Sequence, residues 1–343
     1  MSQAIYKEYL SMGEVVGERD THQMRSLALI GLASLVIAYL TSIKAFGIDR
    51  DYYNYLLFYE TVQGRISYTD LRFESGFVYL SWLFRNLIGF DFPTYILCIT
   101  AFSLSVKFWF LYRYTKFPIL AIASYMMMFY PIHEYTQLRI SMALSLSILG
   151  VHFLVQKQLF KSAFLFIVAP LFHITAITVS LCALIYFIRN RYLGVALAGI
   201  FGLLAFYAGD IILSNIVIFS SELNSLSDYY INNSEFIEQA NIFSVSNLTI
   251  YFVIIFCLLR QWAIKSDLDY ILFIFVLASV VSLILLIDIP VYSQRLKELL
   301  SVFMIPIVFR NYISRTDILA IVIMIGASLW ALVRYTQQGI IFS

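Results

Sequence analysis

Between Tyr130 and Ala176 the chain reads YPIHEYTQLRISMALS, then a helical stretch, the link VQKQLFK, and an apolar run ending in APLFHITA. His133, Glu134, Arg139 and His173 therefore lie in or beside sequence apolar enough to enter a membrane. Charge is costly there and generally serves a function. Arg139 opens a helix whose same-face positions Ala143, Ser147 and Gly150 are small. Neighbouring helices can approach such a face closely, which turns the arginine into the bundle. A guanidinium presents five fixed donors that match phosphate oxygens, the geometry of a diphosphate clamp. The alternative is a helix-end arginine snorkelling to lipid headgroups. Arg295, five residues after Pro290, is a candidate second phosphate contact, or else the partner of Glu298 three positions on. His173 follows Pro170 by three residues. That proline cannot make the bond to the Phe166 carbonyl, which opens a polar gap beside the imidazole. The ordinary imidazole pKa suits general-base work near neutral pH. A buried histidine satisfying kinked backbone is the other reading.

Carboxylates supply the remaining candidates. Glu74, just before Gly76, can orient a sugar hydroxyl or act as a base. Asp49 and Asp51 stand among Tyr52, Tyr53 and Tyr55. Aromatic faces stack on pyranose rings and carboxylates accept hydroxyl protons, so Tyr52 and Tyr55 are candidate sugar contacts. For any one of these acids a solvated loop is the plainer reading. His133 and Glu134 are a further acid/base or sugar-binding pair, or simply a polar turn before a helix. Lys107 is expected to snorkel from its apolar helix. No phosphate-binding Gly-rich loop, dinucleotide fingerprint or HExxH motif occurs, so no nucleotide, cofactor or metal is expected. The three cysteines all lie in apolar runs and offer neither a disulfide framework nor a zinc cluster.

The elements that must position these groups are membrane helices. The 343 residues are 61% hydrophobic and 13% charged, with a mean hydropathy of +0.82. Apolar runs of about spanning length recur from end to end. The fold class expected is all-α, a polytopic integral membrane helical bundle. Residues 1–24 read as a polar cytoplasmic tail, and 25–343 as one transmembrane domain with extracytoplasmic loops at 44–75 and 214–246. Helices are expected near 25–43, 95–112, 117–130, 138–156, 192–213, 247–263, 269–287, 296–310 and 317–334. The net charge of +2 carries no nucleic-acid signature.

Orientation follows from Lys and Arg in short links. Five links are basic: 112–116, 156–161, 189–191, the link of Arg260 and Lys265, and that of Arg310 and Arg315. The loop 214–246 has no basic residue and four acids. If every apolar run crosses once, two basic links fall outside. If 76–90 dips in without crossing and 160–188 crosses twice with His173 at the hairpin, all five lie inside. Segment 76–90 suits that exception, because it spans only about 22 Å as a helix. The charge bias thus favours about 11 crossings plus a short re-entrant or interfacial segment. Asp49, Asp51, Glu74, His133, Glu134, Arg139, His173 and Arg295 then share the outer side.

The series DRDYYNYLLFY (49–59), ESGFVYLSWL (74–83), QLRISMALSLSILGVHFLVQKQ (137–158) and LFHITAI (171–177) resembles the EpsG family of bacterial polysaccharide polymerases, the Wzy-type enzymes. The likeness covers about 49–180, with an echo at Arg295. It departs at Ser75, where proline is usual, at Ile140, where glutamine is usual, and at Thr175, which replaces serine. Glu74, Arg139 and His173 match family positions, and Asp49 and Asp51 compete for one aspartate position. The resemblance implies a GT-C-like membrane glycosyltransferase in the bacterial inner membrane, joining undecaprenyl-diphosphate-linked repeat units on its outer face. It implies membrane lipid and a chain-length regulator protein as partners, and catalysis without a cofactor. A flippase using the same cationic cavity and an envelope-glycan acyltransferase are the competing classes. The absence of paired repeats and of an acyl-donor signature stands against each in turn.

Overall fold

The computed structural model describes residues 24–43, 50–62, 73–200, 204, 241–262, 265–287, 290–310 and 317–338. Asp49, the tail 1–23 and most of the loop 214–246 lie outside these. Among the described residues the chain is all-helical, without a strand. Five helices are long and apolar enough to cross a membrane: α1 (Met24–Ser42), α4 (Phe92–Tyr114), α7 (Leu138–Val155), α12 (Asp267–Leu285) and α15 (Asp317–Gln337). Between them run α2 (Arg50–Thr61), α3 (Ser75–Trp82), α5 (Pro118–Met128), α6 (Tyr130–His133), α8 (Leu159–Val168) and α9 (Ala176–Ala183). Further along come α10 (Arg191–Ile200), and then α11 (Val245–Leu259), α13 (Pro290–Ser301) and α14 (Met304–Arg310).

Local sequence sets several of these starts. Asp91 caps α4, its Oδ1 accepting from Thr94 N at 3.0 Å, with a proline in the first turn. Ser266 caps α12 in the same way. Two apolar runs break where a single helix was expected. The run 117–130 divides into α5 and α6 just before Pro131, and the run 296–310 starts earlier and divides into α13 and α14. Pro306, early in α14, cannot supply an amide to the turn behind it, which accounts for the second break.

The expected re-entrant segment 76–90 is α3 followed by a π-helical turn, Leu83–Ile88, ending on Gly89 in the left-handed region (φ 81°). The wider turn serves α2. Arg85 Nη1 donates to the Tyr59 carbonyl at 2.5 Å and Asn86 Nδ2 to the Val62 carbonyl at 3.0 Å, satisfying carbonyls at the end of α2.

The centre is α7 packed on α4 and α8. Ser103 meets Ser141, and further along Tyr114 meets His152, each pair 38 residues apart. A constant offset means that α4 and α7 run in the same direction, so α5 and α6 return the chain between them. The small face expected on α7 is used by α8: Gly150 lies against the Phe166 ring and its carbonyl accepts from Ser162 Oγ at 2.9 Å. Gly76 of α3 sits so close to the chain after α8 that a Cβ there would meet the Leu171 carbonyl oxygen at 2.7 Å. Replacing Gly76 by Val is expected to cost about 1–3 kcal/mol of stability. Thermal unfolding of the purified protein checks this. Gly31→Ala, where a Cβ meets nothing within 4 Å, is the control that leaves the midpoint unchanged.

Candidate functional site

The close approach at Gly76 sets Glu74, the residue before α3, against the link between α8 and α9 that carries His173. The carboxylate is then shared. Its Oε1 lies 2.6 Å from His173 Nδ1 and accepts from the Ile174 amide at 3.3 Å. Its Oε2 accepts from Arg139 Nη1 at 2.5 Å. The Arg139 Nε points at the Tyr55 hydroxyl 3.5 Å away, and the guanidinium stacks over the Phe73 ring at 4.7 Å. Residues 74, 139 and 173, distant along the chain, thus form one continuous group.

Electrostatics fix the protonation states. Burial pushes the Glu74 carboxyl up, but the hydrogen bond to His173 and the charge of Arg139 outweigh it and bring it from 4.5 down to about 2. Burial holds His173 below the ordinary 6.5, against the pull of Glu74 and helped by the charges of Arg139 and Arg295. The histidine is therefore neutral near pH 7, and its contact with Glu74 is a hydrogen bond rather than an ion pair. A carboxylate only accepts, so Nδ1 carries the proton and donates it. The other ring nitrogen, Nε2, is a buried acceptor without a partner among the described residues.

Arg295, on α13, is part of the same surroundings, since its charge acts on both His173 and Tyr55. Among the described residues no close ion pair joins it to Glu298, although its charge does act on that carboxylate, so the internal partner weighed from the sequence remains within its field. Asp51 lies one helical turn before Tyr55 on α2, and its charge reaches that hydroxyl. The gap expected at Pro170 is closed: the freed Phe166 carbonyl accepts from Ser180 Oγ at 2.8 Å. A 3-10 turn, Ala169–Leu171, leads to His173.

Four other candidates take places the sequence did not suggest. Tyr52 and Tyr55 are not open stacking platforms. Both are buried, Tyr52 edge-on to Phe92 and Tyr55 against Phe73 and Phe77, because α2 turns its aromatic face inward. His133 and Glu134 are fully enclosed. Glu134 does sit in a turn, but it is ion-paired with Lys107, which is buried rather than snorkelling. A lysine inside an apolar helix signals that an anion must lie within reach, but which anion was not legible, since Glu134 stands 27 positions away. Phe73 and Ser180 had no such signal, because each acts through a contact that only the fold creates. Among the described residues no cluster of His, Cys, Asp or Glu could hold a metal ion.

Several membrane-length helices around a half-buried carboxylate and guanidinium and a buried imidazole define the class: a polytopic helical membrane protein with a polar site set into its bundle. The chain belongs to the EpsG family, whose model matches residues 27–340, nearly the whole chain. That family is associated with polysaccharide polymerases. No curated protein and no solved structure matches the chain.

A depressed carboxyl pKa stabilises the fold above the unfolded value and loses that contribution as pH falls through the folded one. The thermal advantage of the wild type over Glu74→Gln is therefore expected to be full above pH 4.5 and to shrink as pH falls towards 2. Melting curves of both proteins across that range check the sign.

Proposed function

We propose that the protein is a polysaccharide polymerase that joins lipid-linked oligosaccharide repeat units. The observation that carries this reading is Glu74 bridging Arg139 and His173 while leaving His173 Nε2 unpartnered. The donor is a growing glycan on undecaprenyl diphosphate, and the acceptor is a sugar hydroxyl of the next lipid-linked unit. The acceptor oxygen bonds to the donor's anomeric carbon as the bond from that carbon to the diphosphate oxygen breaks. The acceptor proton passes to His173 Nε2, a geometry that Glu74 fixes from the other side of the ring. The diphosphate leaves with the bonding electron pair. Fixed positive charge from Arg139 and Arg295 offsets the negative charge that develops on it. Asp51 stands at the start of α2, one turn before Tyr55, and either it or Asp49, two residues earlier in the sequence, holds an incoming sugar in this reading. The activated diphosphate supplies the driving force, so no nucleotide is consumed.

The active face is assigned to the outside of the bacterial inner membrane on charge bias. Basic links meet at the end of the bundle away from Glu74: Lys157 and Arg191 both pair with Asp267, Arg260 with Asp317, and Arg310 with Asp269. Five helices are long and apolar enough to cross; the proposal of about 11 crossings takes the five shorter apolar helices and the broken segment 290–310 as crossings as well.

The test is elongation of purified lipid-linked repeat units by the protein in detergent. His173→Ala is expected to lower kcat by roughly 100-fold or more. Full elongation by that variant removes the proposed base, and transport of the lipid-linked unit across liposomes holding the wild type, with no elongation in detergent, assigns the protein to a carrier class. The pH profile carries a second prediction. Neutral His173 is the active form and its pKa lies below 6.5, so kcat/KM is expected to hold down to that pH and fall below it. Glu74 raises the His173 pKa, so Glu74→Gln should move this acid limb lower still as well as slowing the reaction.

A further inference from the structure

Deeper in the bundle lies a second set of charges that this chemistry does not use. Lys107 of α4 and Glu134, in the turn after α6, form an ion pair with side-chain exposures of 1% and 0%. Glu134 Oε1 also accepts from Ser141 Oγ at 2.9 Å and from Ser103 Oγ at 3.2 Å. The Tyr125 hydroxyl lies 2.9 and 2.8 Å from its two oxygens. The Lys107 ammonium donates further to Ser103 Oγ at 2.8 Å and to Ser141 Oγ at 3.0 Å, and Ser103 reaches Ser145 Oγ at 2.8 Å. One network thus joins α4, α5, the turn after α6, and α7.

Its location connects it to the site. Ser141 is two residues beyond Arg139 on α7, and Glu134 is five before it. On another side, Lys107 and Tyr125 line a small void of about 10 Å³ whose far wall is Val302, Phe303 and Pro306. Those three residues form and follow the break between α13 and α14, and α13 carries Arg295. The pair therefore stands between the helix of Arg139 and the segment of Arg295.

Stability alone does not account for it. Taking two charges out of water costs about as much as their attraction returns, and apolar residues of similar volume commonly serve as well or better. A hydrogen-bonded pair differs from apolar packing in being directional, since it is satisfied in one register of the helices and not in the next. We propose that Lys107 and Glu134 are positioning residues, which fix α7 against α4 and the α13–α14 break so that Arg139 and Arg295 face one substrate. The proposal rests on the polymerase reading above.

The test is the double variant Lys107→Met with Glu134→Leu, which removes both charges at nearly constant volume and leaves neither unpaired. It is expected to keep the wild-type thermal midpoint, to lower kcat for elongation at least tenfold, and to change KM for the lipid-linked unit less than threefold. Wild-type kcat in a folded double variant overturns the proposal. Should the double variant fail to fold, Ser141→Ala with Ser145→Ala loosens the same network without stranding a charge. Its expected result is a threefold or larger fall in kcat at an unchanged midpoint, and an unchanged kcat again overturns the proposal. Carbethoxylation of His173 by diethyl pyrocarbonate, followed by mass spectrometry, gives a readout independent of turnover. Its rate should differ at least threefold between wild type and the folded variant, and equal rates overturn the proposal. A wild-type protein that does not elongate glycan in the same assay overturns the polymerase reading instead, and the labelling rates still decide the positional one.

Discussion

Everything at the site depends on how one half-buried carboxylate spends its two oxygens. Glu74 binds an imidazole with one and a guanidinium with the other. Desolvated polar groups are costly unless they satisfy one another, so each is held by its neighbours. The consequence is directional. With Nδ1 engaged, the histidine has a single tautomer and a single free nitrogen. With one Nη engaged and a ring beneath it, the arginine has a fixed plane. Polar groups that are expensive to bury become precise when they satisfy one another.

The packing that permits this is unusual only in how little space it leaves. Gly76 lets the start of α3 touch the chain at Leu171, and Gly150 lets α8 lie on α7. Pro170 ends α8 early, and Ser180 takes up the carbonyl that the proline frees. The result is a non-helical link at the level of α7's first turn, which is where His173 meets the residues before α3. Irregular backbone inside a bundle is tolerated where side chains replace the lost hydrogen bonds, and here one serine does so.

Much of the fold was legible in the sequence because a bilayer makes length and hydropathy informative. The long helices α4, α7, α12 and α15 fall within a few residues of their expected limits. Arg139 and His173 were legible because charge in or beside apolar sequence stands out, whereas Glu74 closes a polar segment where a solvated loop was the plainer reading, and it was picked out by its place before Gly76 and by the family resemblance. What could not be read were pairings set by tertiary packing. Tyr52 and Tyr55 looked like an open aromatic surface, since nothing local distinguishes an exposed tyrosine from one turned into a core. Lys107 looked like a snorkelling residue because its anion lies 27 positions away. The run 296–310 read as one helix, since periodicity does not report a break that a proline makes only in the context of its neighbours.

The helices that flank the site are short. α5 runs only Pro118–Met128, and the apolar helices that include α8 and α9 run Leu159–Leu171 and Ala176–Phe187, each shorter than the length that spans a hydrocarbon layer about 30 Å thick. A bilayer meeting such walls thins, or its headgroups sink towards the protein. Around Glu74 and His173 the walls are thus broken helices joined by short links rather than single long ones.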